Sequence, residues 1–233
     1  MSDAEETLAV AERYARRSVG DRYSPLRPEV WQALQERQRK MLRLLAADNP
    51  EGLASKNLVE VGCGSGGNLL DLLRWGFAPG ALTGLELLPE RQQEARRVLP
   101  PATNVWLGDA LVAPIGPGSC DYVLQSTVFS SLLDDAFQQR LAQAMWSWVR
   151  PGGAVIWYDF TFDNPRNPDV RGVPMRRVRE LFPRAVIRAS RLTLAPPLAR
   201  VVCRWHPGLY GVLNRLPALR THVLAWIRKP VVA

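Results

Sequence analysis

The chain has 233 residues, of which 47% are hydrophobic and 22% are charged, and its formal net charge is +8. This length predicts one domain, or one domain with a small addition, and the apolar content is ample for a core. No apolar run reaches the roughly 18 residues of a transmembrane helix. The N-terminus is acidic and lacks the apolar stretch of a signal peptide, which favours a cytoplasmic protein.

The charge is distributed unevenly along the chain. Residues 164–233 contain 14 Arg or Lys and 2 Asp or Glu, whereas residues 1–163 contain 16 and 20. This asymmetry favours an anionic partner or a solvated basic face, with nucleic-acid binding as an alternative.

The cysteines, Cys63, Cys120 and Cys203, are too scattered for a disulfide framework or a zinc site, and with only two histidines no metal site is predicted.

Two helices are predicted before residue 48, over 3–18 and 29–47, and the segment between them contains two helix-breaking prolines. Residues 1–47 are interpreted as a helical lid segment, that is, a segment that covers the ligand site of the domain that follows. The remaining residues, 48–233, are predicted to form the main domain.

From residue 57, predicted strands and helices alternate, which is typical of a parallel sheet covered by helices on both faces. The predicted strands cover 57–61, 81–86, 104–108, 121–125 and 154–159, and the helices cover 67–75, 89–98 and 134–149. After residue 160 we predict a short helix over 174–182, a strand over 184–194, a short helical connection over 205–217 and a last strand over 221–227. The last two strands lack a full crossover helix between them, so we expect them to be antiparallel.

The first predicted strand runs into a glycine-rich turn, Glu60-Val61-Gly62-Cys63-Gly64-Ser65-Gly66-Gly67. Its glycines let the chain bend sharply and bring backbone N–H groups close to a ligand. Gly62, Gly64 and Gly67 also satisfy the G-x-G-x-x-G pattern of dinucleotide sites, which alone is weak evidence. A carboxylate at Glu60 repels the phosphates of NAD or FAD but attracts the ammonium and sulfonium of S-adenosylmethionine (SAM). Glu60 therefore favours SAM, and Cys63 is interpreted as a small space-filling residue within the same site.

Acidic residues also end the next two predicted strands. Glu86 can accept hydrogen bonds from both hydroxyls of a ribose, and Leu87 offers apolar surface to an adenine. Asp109 can accept a hydrogen bond from the adenine amine, while the backbone of Ala110 addresses a ring nitrogen. Three acids that end successive strands form a more specific signal than any one of them alone.

The fourth predicted strand delivers Gln125 and Ser126 to the same edge of the sheet. The carbonyl of Gln125 and the hydroxyl of Ser126 are candidates for contact with the amino-acid end of the cofactor. A capping or turn role is the alternative for Ser126.

These motifs together resemble the class I SAM-dependent methyltransferases over roughly residues 55–160. The resemblance rests on the turn from Glu60 to Gly66, Glu86, Gly108-Asp109-Ala110, the strand from Asp121 to Gln125 and Arg150-Pro151-Gly152-Gly153. It implies a Rossmann-like α/β sandwich with a seven-stranded, mostly parallel sheet whose last strand is antiparallel. It also implies SAM as methyl donor, S-adenosylhomocysteine (SAH) as product, and Glu60 and Gly62 at the methionine end of the cofactor.

The C-terminal region is similar, less specifically, to bacterial methyltransferases of glycans and secreted metabolites. This second resemblance rests on Tyr158-Asp159-Phe160, the segment from Asn164 to Asp169 and Leu194-Ala195-Pro196-Pro197.

Methyl transfer requires an aligned nucleophile, exclusion of water and usually removal of a proton from the acceptor. The candidate bases are Tyr158, Asp159 and Asp163 after the fifth strand, and His206 in a predicted loop. The candidate acceptor-binding residues are Tyr23, Asn164 and Asn167. Ordinary turn chemistry is the alternative for the acids and asparagines of this loop.

Two differences from the motifs of related methyltransferases restrict the reactions expected of this chain. Gln125 stands where metal-dependent catechol-type enzymes carry an Asp, which disfavours a divalent-metal mechanism. The sequence Gln125-Ser126-Thr127-Val128 replaces an Asn-Pro-Pro-Tyr motif, which disfavours nucleobase amines.

We therefore predict SAM-dependent methyl transfer to a hydroxyl, or less favourably an amine, of a small polar or anionic acceptor such as a sugar or glycosylated metabolite. The alternatives are an RNA methyltransferase that uses the basic C-terminal third, an NAD-dependent oxidoreductase, and a SAM-binding accessory protein without turnover.

Overall fold

A seven-stranded sheet forms the centre of the molecule, which the computed structural model describes over residues 3–16, 24–164 and 167–231. The strands are β1 (Leu58–Val61), β2 (Leu82–Glu86), β3 (Asn104–Leu107), β4 (Cys120–Ser126), β5 (Val149–Phe160), β6 (Val186–Leu194) and β7 (Arg220–Arg228). Their order in the sheet is β3-β2-β1-β4-β5-β7-β6. Neighbours from β3 to β5 are parallel, and β7 pairs antiparallel with β5 and β6. The predicted fold class is therefore confirmed.

Helices cover both faces of this sheet. They are α1 (Asp3–Ala15), α2 (Pro28–Asp48), α3 (Gly67–Arg74), α4 (Pro89–Val98), α5 (Asp135–Trp148), α6 (Met175–Leu181), α7 (Pro196–Trp205) and α8 (Gly208–Leu213). One apolar layer joins the sheet to α1, α5 and α6, and a second joins it to α2, α3 and α4. Central strands are buried on both faces, which explains their nearly unbroken apolar runs. None of the described helices is long and apolar enough to cross a membrane.

Two elements differ from the sequence-based expectation. β5 begins at Val149 rather than at residue 154, because Val149 pairs with Cys120 and the chain continues in contact with β4. Gly153 permits this path, since a Cβ there would lie 2.4 Å from the carbonyl oxygen of Asp121. The predicted connection over 205–217 is instead the end of α7 followed by α8, and α7 begins at Pro196. Proline fits the first turn of a helix, where its missing N–H costs no internal hydrogen bond.

Helix α1 is fastened to the segment that joins β4 to α5. The buried carboxylate of Glu6 accepts hydrogen bonds from Arg13 Nη2 at 2.6 Å and from the backbone N–H of Leu133 at 3.0 Å. Arg13 also donates to the carbonyl oxygen of Ser131 at 3.1 Å. The helix is therefore held by buried polar contacts as well as by apolar packing.

We expect Arg13→Met to release α1 from this position. The substitution removes the cation that compensates the buried carboxylate of Glu6, and an uncompensated buried charge is strongly destabilising. Amide hydrogen exchange of residues 5–15 should accelerate about tenfold or more, which corresponds to about 1.4 kcal/mol of local stability, while β4 and β5 keep their protection. The control is Arg16→Met, which removes an exposed pair with Asp169 and should have little effect. Equal exchange in the two variants would contradict the role given to the buried pair.

Candidate cofactor and active site

A cavity opens where the carboxyl ends of β1, β2, β3 and β4 meet, the edge at which open parallel sheets bind ligands. Its wall combines strand-end residues with one side of α1. The predicted cofactor residues on this wall are Gly62, Glu86, Leu87, Asp109, Ala110 and Ser126. The sheet therefore brings to one place side chains that are up to 64 positions apart in the sequence.

Glu60 ends β1 as a fully buried carboxylate. Its Oε1 accepts a hydrogen bond from Asn68 Nδ2 at 2.6 Å, whereas Oε2 has no partner among the described residues. Burial raises the pKa of Glu60 to about 8, although the Asn68 hydrogen bond and the nearby charge of Arg37 oppose the shift. A buried oxygen without a partner is costly unless a ligand supplies a donor or a cation. Glu60 does not itself line the cavity, but its second oxygen suits a positively charged group that comes within reach.

Arg37 on α2 supplies a cation next to this carboxylate. Its Nη2 donates to Asn68 Oδ1 at 2.8 Å, and its Nη1 donates to the hydroxyl of Ser126 at 3.0 Å. Its guanidinium lies 5.1 Å from the centroid of the Tyr158 ring. A carboxylate and a guanidinium side by side are complementary to the ammonium and carboxylate of an amino acid. Sequence reasoning missed Arg37, because α2 carries several basic residues and only the packing of the helix selects this one.

Glu86 connects the glycine turn to the loop after β2 through two hydrogen bonds. Its Oε2 accepts from the backbone N–H of Gly64 at 2.7 Å, and its Oε1 accepts from that of Leu88 at 2.9 Å. Each carboxylate oxygen can accept a second hydrogen bond, so both remain available to the hydroxyls of a ribose.

Gly62 has a φ of +66°, and a Cβ there would lie 2.6 Å from Val128 Cγ2. Only glycine therefore lets the turn approach β4 this closely.

Cys63 lies behind the cavity wall. Its side chain fills the space above Gly84, where a Cβ would lie 2.6 Å from the Cys63 sulfur. Burial raises the pKa of the thiol, which opposes formation of a nucleophilic thiolate. These contacts favour a space-filling role, and the contact of Cys63 with the cofactor stays a prediction.

Asp109 lies at the opposite end of the cavity, beneath α1. Its Oδ1 accepts from the backbone N–H of Leu111 at 2.9 Å, and its Oδ2 accepts from the hydroxyl of Thr7 at 2.8 Å. Val10 and Tyr14 of α1 also line the cavity. The oxygen expected to receive an adenine amine is therefore already in contact with the N-terminal helix.

The side chain of Gln125 turns into the protein rather than toward the cavity. It is fully buried, its Oε1 accepts from the backbone N–H of Val128 at 3.1 Å, and its Nε2 points to the carbonyl oxygen of Tyr158 at 3.4 Å. Gln125 therefore shapes the turn after β4, in which Thr127 adopts a φ of +58°. Its Ser126 neighbour does reach the cavity wall.

Tyr158 and Asp159 point to opposite faces of β5, and neither lines the cavity. The hydroxyl of Tyr158 lies 2.8 Å from that of Thr193, and its ring stacks on His222 with centroids 5.1 Å apart. Burial raises the pKa of Tyr158.

Asp159 accepts hydrogen bonds from the backbone N–H groups of Ser130 at 3.1 Å and of its own neighbour Phe160 at 3.0 Å. Burial raises the pKa of Asp159 to about 7, against the opposing effect of these hydrogen bonds.

The remaining predicted residues lie away from the cavity wall. Asp163 is exposed and accepts from the backbone N–H of Gly172 at 2.8 Å, and Asn164 is exposed in the same loop. Asn167 accepts from the backbone N–H of Asp169 at 3.2 Å, which favours the turn interpretation. Within the described ranges no three potential metal ligands lie together.

His206 and Tyr23 complete the predicted set. The structure does not bring His206 to the cavity, because the chain there ends α7 instead of forming a loop over the site, and its Nδ1 accepts from the backbone N–H of Gly208 at 3.0 Å. Tyr23 lies outside the described residues.

The strand order, the glycine turn and the acidic strand ends define the class I methyltransferase fold. Residues 58–153 match the family model described as a methyltransferase domain. Geranyl diphosphate C-methyltransferase from Streptomyces coelicolor A3(2), in complex with Mg²⁺, geranyl diphosphate and SAH, is 14% identical with a TM-score of 0.66, and the match covers 96% of this chain and 97% of that chain. A SAM-dependent methyltransferase from Mesorhizobium loti is 16% identical with a TM-score of 0.60, over 81% of this chain and 96% of that chain.

A curated relative is also similar in sequence. An uncharacterized 37.1 kDa protein in transposon Tn4556 from Streptomyces fradiae is 32% identical over 117 residues, which are 47% of this chain and 33% of that protein. The chain thus matches about a third of that relative's length. Residues 58–153 thus match a methyltransferase domain, which implies SAM as cofactor, and the chain has the fold of the class I methyltransferases.

We expect Glu60→Gln to stabilise the cofactor-free protein at pH 8 while weakening SAM binding. The pKa of Glu60 is raised from 4.5 to about 8, so folding takes up a proton between these values, and the stability contributed by this group falls as the pH rises through that window. The neutral amide of Gln does not lose stability in this way, so the variant should be more stable by about 1–2 kcal/mol at pH 8. The amide cannot, however, attract an ammonium. Thermal unfolding from pH 5 to 9, with and without SAM, measures both effects. A lower melting temperature for the variant at pH 8 would refute this account of Glu60.

Glu86→Ala is expected to weaken SAM binding by about 1–3 kcal/mol, because charged hydrogen bonds to the ribose are lost. Isothermal calorimetry measures the change. The matched control is Glu94→Ala, which removes an exposed carboxylate that contacts Ser65 of the same turn from outside the cavity. Unchanged affinity in the Glu86 variant would remove Glu86 from the cofactor site.

Proposed function

We propose that the protein transfers the methyl group of SAM to a hydroxyl of a small polar acceptor. The observation that supports SAM as the donor is the fully buried oxygen of Glu60, next to the carboxyl end of β1, which has no partner among the described residues. Because burial raises the pKa of Glu60 to about 8, its carboxyl is protonated near pH 7 in the unliganded protein. An ammonium next to it would favour the ionised form, whereas the pyrophosphate of NAD would oppose that form and brings no compensating positive charge.

In this proposal the amino-acid end of SAM lies between Glu60 and Arg37. Glu86 holds the ribose, and Asp109 receives the adenine amine. Bound SAM supplies an electrophilic methyl group on a good leaving group. The chain's own contribution is then to orient the acceptor, exclude water and accept a proton.

Helix α1 is proposed to act as the lid of this site. Thr7, Val10 and Tyr14 face the cavity, and the contact between Thr7 and Asp109 must rearrange or be shared when adenine binds. Closure of α1 over a bound donor would keep water from the sulfonium. The lid thus combines apolar coverage with a polar contact that a ligand can replace.

The acceptor is proposed to bind at the carboxyl end of β5, where polar side chains of β5, β6 and β7 beside Arg37 meet on one face of the sheet and Asp159 approaches the same edge from the other face. Tyr158 contacts Thr193, and Thr193 donates its backbone N–H to Glu36 at 3.0 Å. Burial and the charge of Arg37 lower the pKa of His222 to about 4, so its ring is neutral near pH 7. Hydroxyls, a carboxylate and a neutral imidazole can bind the hydroxyl groups of a sugar-like molecule, which supports a polar acceptor.

Asp159 is the proposed base among the four predicted candidates. Its pKa of about 7 suits general base catalysis near neutral pH. Because Asp159 does not line the cavity, the proton is proposed to pass through the hydroxyl of Ser130, which is hydrogen-bonded to it. Ser130 precedes Ser131, which lies on the cavity wall.

The proposed function is tested with methyl-labelled SAM and a panel of sugars, glycosylated metabolites, amines and RNA, read out by SAH release and by label in the acceptor. Label on a small hydroxylated acceptor is the expected result. Label in RNA, with steep salt dependence, would overturn the acceptor class. Stabilisation of the fold by NADH but not by SAM would overturn the reaction class, and SAM binding without any labelled acceptor would favour an accessory protein.

Asp159→Asn is expected to lower kcat about 100-fold or more and to abolish the rise of kcat as the pH increases through about 7. The affinity for SAM should remain nearly unchanged, which separates loss of a base from loss of the fold. Asp163→Asn, in the exposed loop, is the control and should retain normal rates. A pH profile of the Asp159 variant that matches the unmodified enzyme would exclude the proposed proton path.

A further inference from the structure

One corner of the molecule exposes apolar side chains together with arginines. We call it the α7–α8 surface and define it by Arg204, Trp205, Leu209, Val212, Arg215 and Leu216. Trp205 is 84% exposed, Val212 61% and Leu216 55%. The opposite side of α7 is buried through Ala199 and Cys203, so the helix is amphipathic yet its second apolar side has no covering element among the described residues. Contiguous exposed apolar residues of this kind mark interaction sites.

The charge of this part of the chain has a single sign. Residues 181–233 contain eight Arg, one Lys and no Asp or Glu. Arg204 and Arg215 are both exposed, and neither forms an ion pair with a described carboxylate. The surface therefore combines uncompensated positive charge with apolar side chains.

The α7–α8 surface lies at the same edge of the sheet as the cofactor cavity. α7 follows the carboxyl end of β6, and β7 begins directly after this region, with His222 paired to Phe160 at the carboxyl end of β5. Leu26 and Trp31 extend the apolar area across a shallow groove to Pro207. Leu26 is 92% exposed.

We propose that the α7–α8 surface docks on an anionic phospholipid bilayer. An amphipathic helix with arginines beside an exposed tryptophan and aliphatic side chains matches the boundary between headgroups and acyl chains. The negative surface potential of anionic lipids complements the acid-free composition of the region. Docking in this orientation places the cavity edge against the membrane.

Two other occupants fit the same surface less well. A nucleic-acid backbone would complement Arg204 and Arg215 but would place Leu209, Val212 and Leu216 against phosphates, where they make no hydrogen bonds. A second copy in a two-fold dimer would bring arginines against arginines, because residues 181–233 contain no carboxylate side chain to compensate them.

Flotation of the purified full chain with vesicles tests the proposal. We expect binding to vesicles of equal phosphatidylglycerol and phosphatidylcholine, and much weaker binding to phosphatidylcholine alone. Trp205→Ser and Arg204→Glu should each reduce the bound fraction at least about tenfold. The controls are Val98→Ser and Arg97→Glu on exposed positions of α4, which likewise replace an exposed apolar side chain by Ser and an exposed arginine by Glu, but away from the α7–α8 surface. Melting temperatures of all four variants verify folding.

Three results would overturn the proposal. The first is the absence of binding to anionic vesicles by the unmodified protein. The second is equal loss of binding in the α4 controls, since this would reflect net charge rather than the surface. The third is a dimer or an RNA complex that Trp205→Ser disrupts while vesicle binding persists. Because the readout is binding to lipid, it is independent of whether methyl transfer to a hydroxyl is observed.

Discussion

A half-satisfied carboxylate at the centre of the sheet is the constraint around which the site is organised. One oxygen of Glu60 accepts a hydrogen bond from Asn68, the other has no partner in the part of the chain that the structure describes, and Arg37 on α2 donates to the same Asn68. This arrangement is tolerable only because apolar layers on both faces of the sheet stabilise the fold. A ligand that brings an ammonium to Glu60 supplies the missing partner, and Arg37 next to it suits the carboxylate of the same ligand, so the geometry and the matched domain both favour SAM.

The two ends of the cofactor region are built differently. In the proposed placement of SAM, the adenine end lies beneath α1, whose position depends on the buried pair of Glu6 and Arg13. The amino-acid end is polar and is bounded by α2, where Arg37 links β4 to the glycine turn through Ser126 and Asn68. The two N-terminal helices therefore serve separate parts of the same molecule of donor.

The strands, the glycine turn and the acidic strand ends were predictable because each depends on local sequence: apolar runs, glycines at positive φ and a carboxylate at a strand terminus. Contacts between distant elements were not. Nothing in the sequence distinguishes Arg37 from its basic neighbours on α2, or shows that Gln125 turns inward to cap its own turn. Strand alternation places Tyr158 and Asp159 on opposite faces, but only the packed structure shows which neighbours each one meets. No element was predicted for residues 195–204, although Pro196 and Pro197 suit the start of a helix.

The recognition described for Glu60, Glu86 and Asp109 has a consequence for turnover. In the proposed placement these residues address the ammonium, the ribose and the adenine, which are the parts of the donor that the reaction leaves intact. The spent donor lacks only a methyl group and the charge on sulfur, so these contacts hold it as firmly as the fresh one, and they contribute ground-state binding rather than acceleration. The turnover rate in a cell would then depend on the concentration ratio of SAM to SAH. An enzyme that hydrolyses SAH would be needed to prevent SAH from occupying the site.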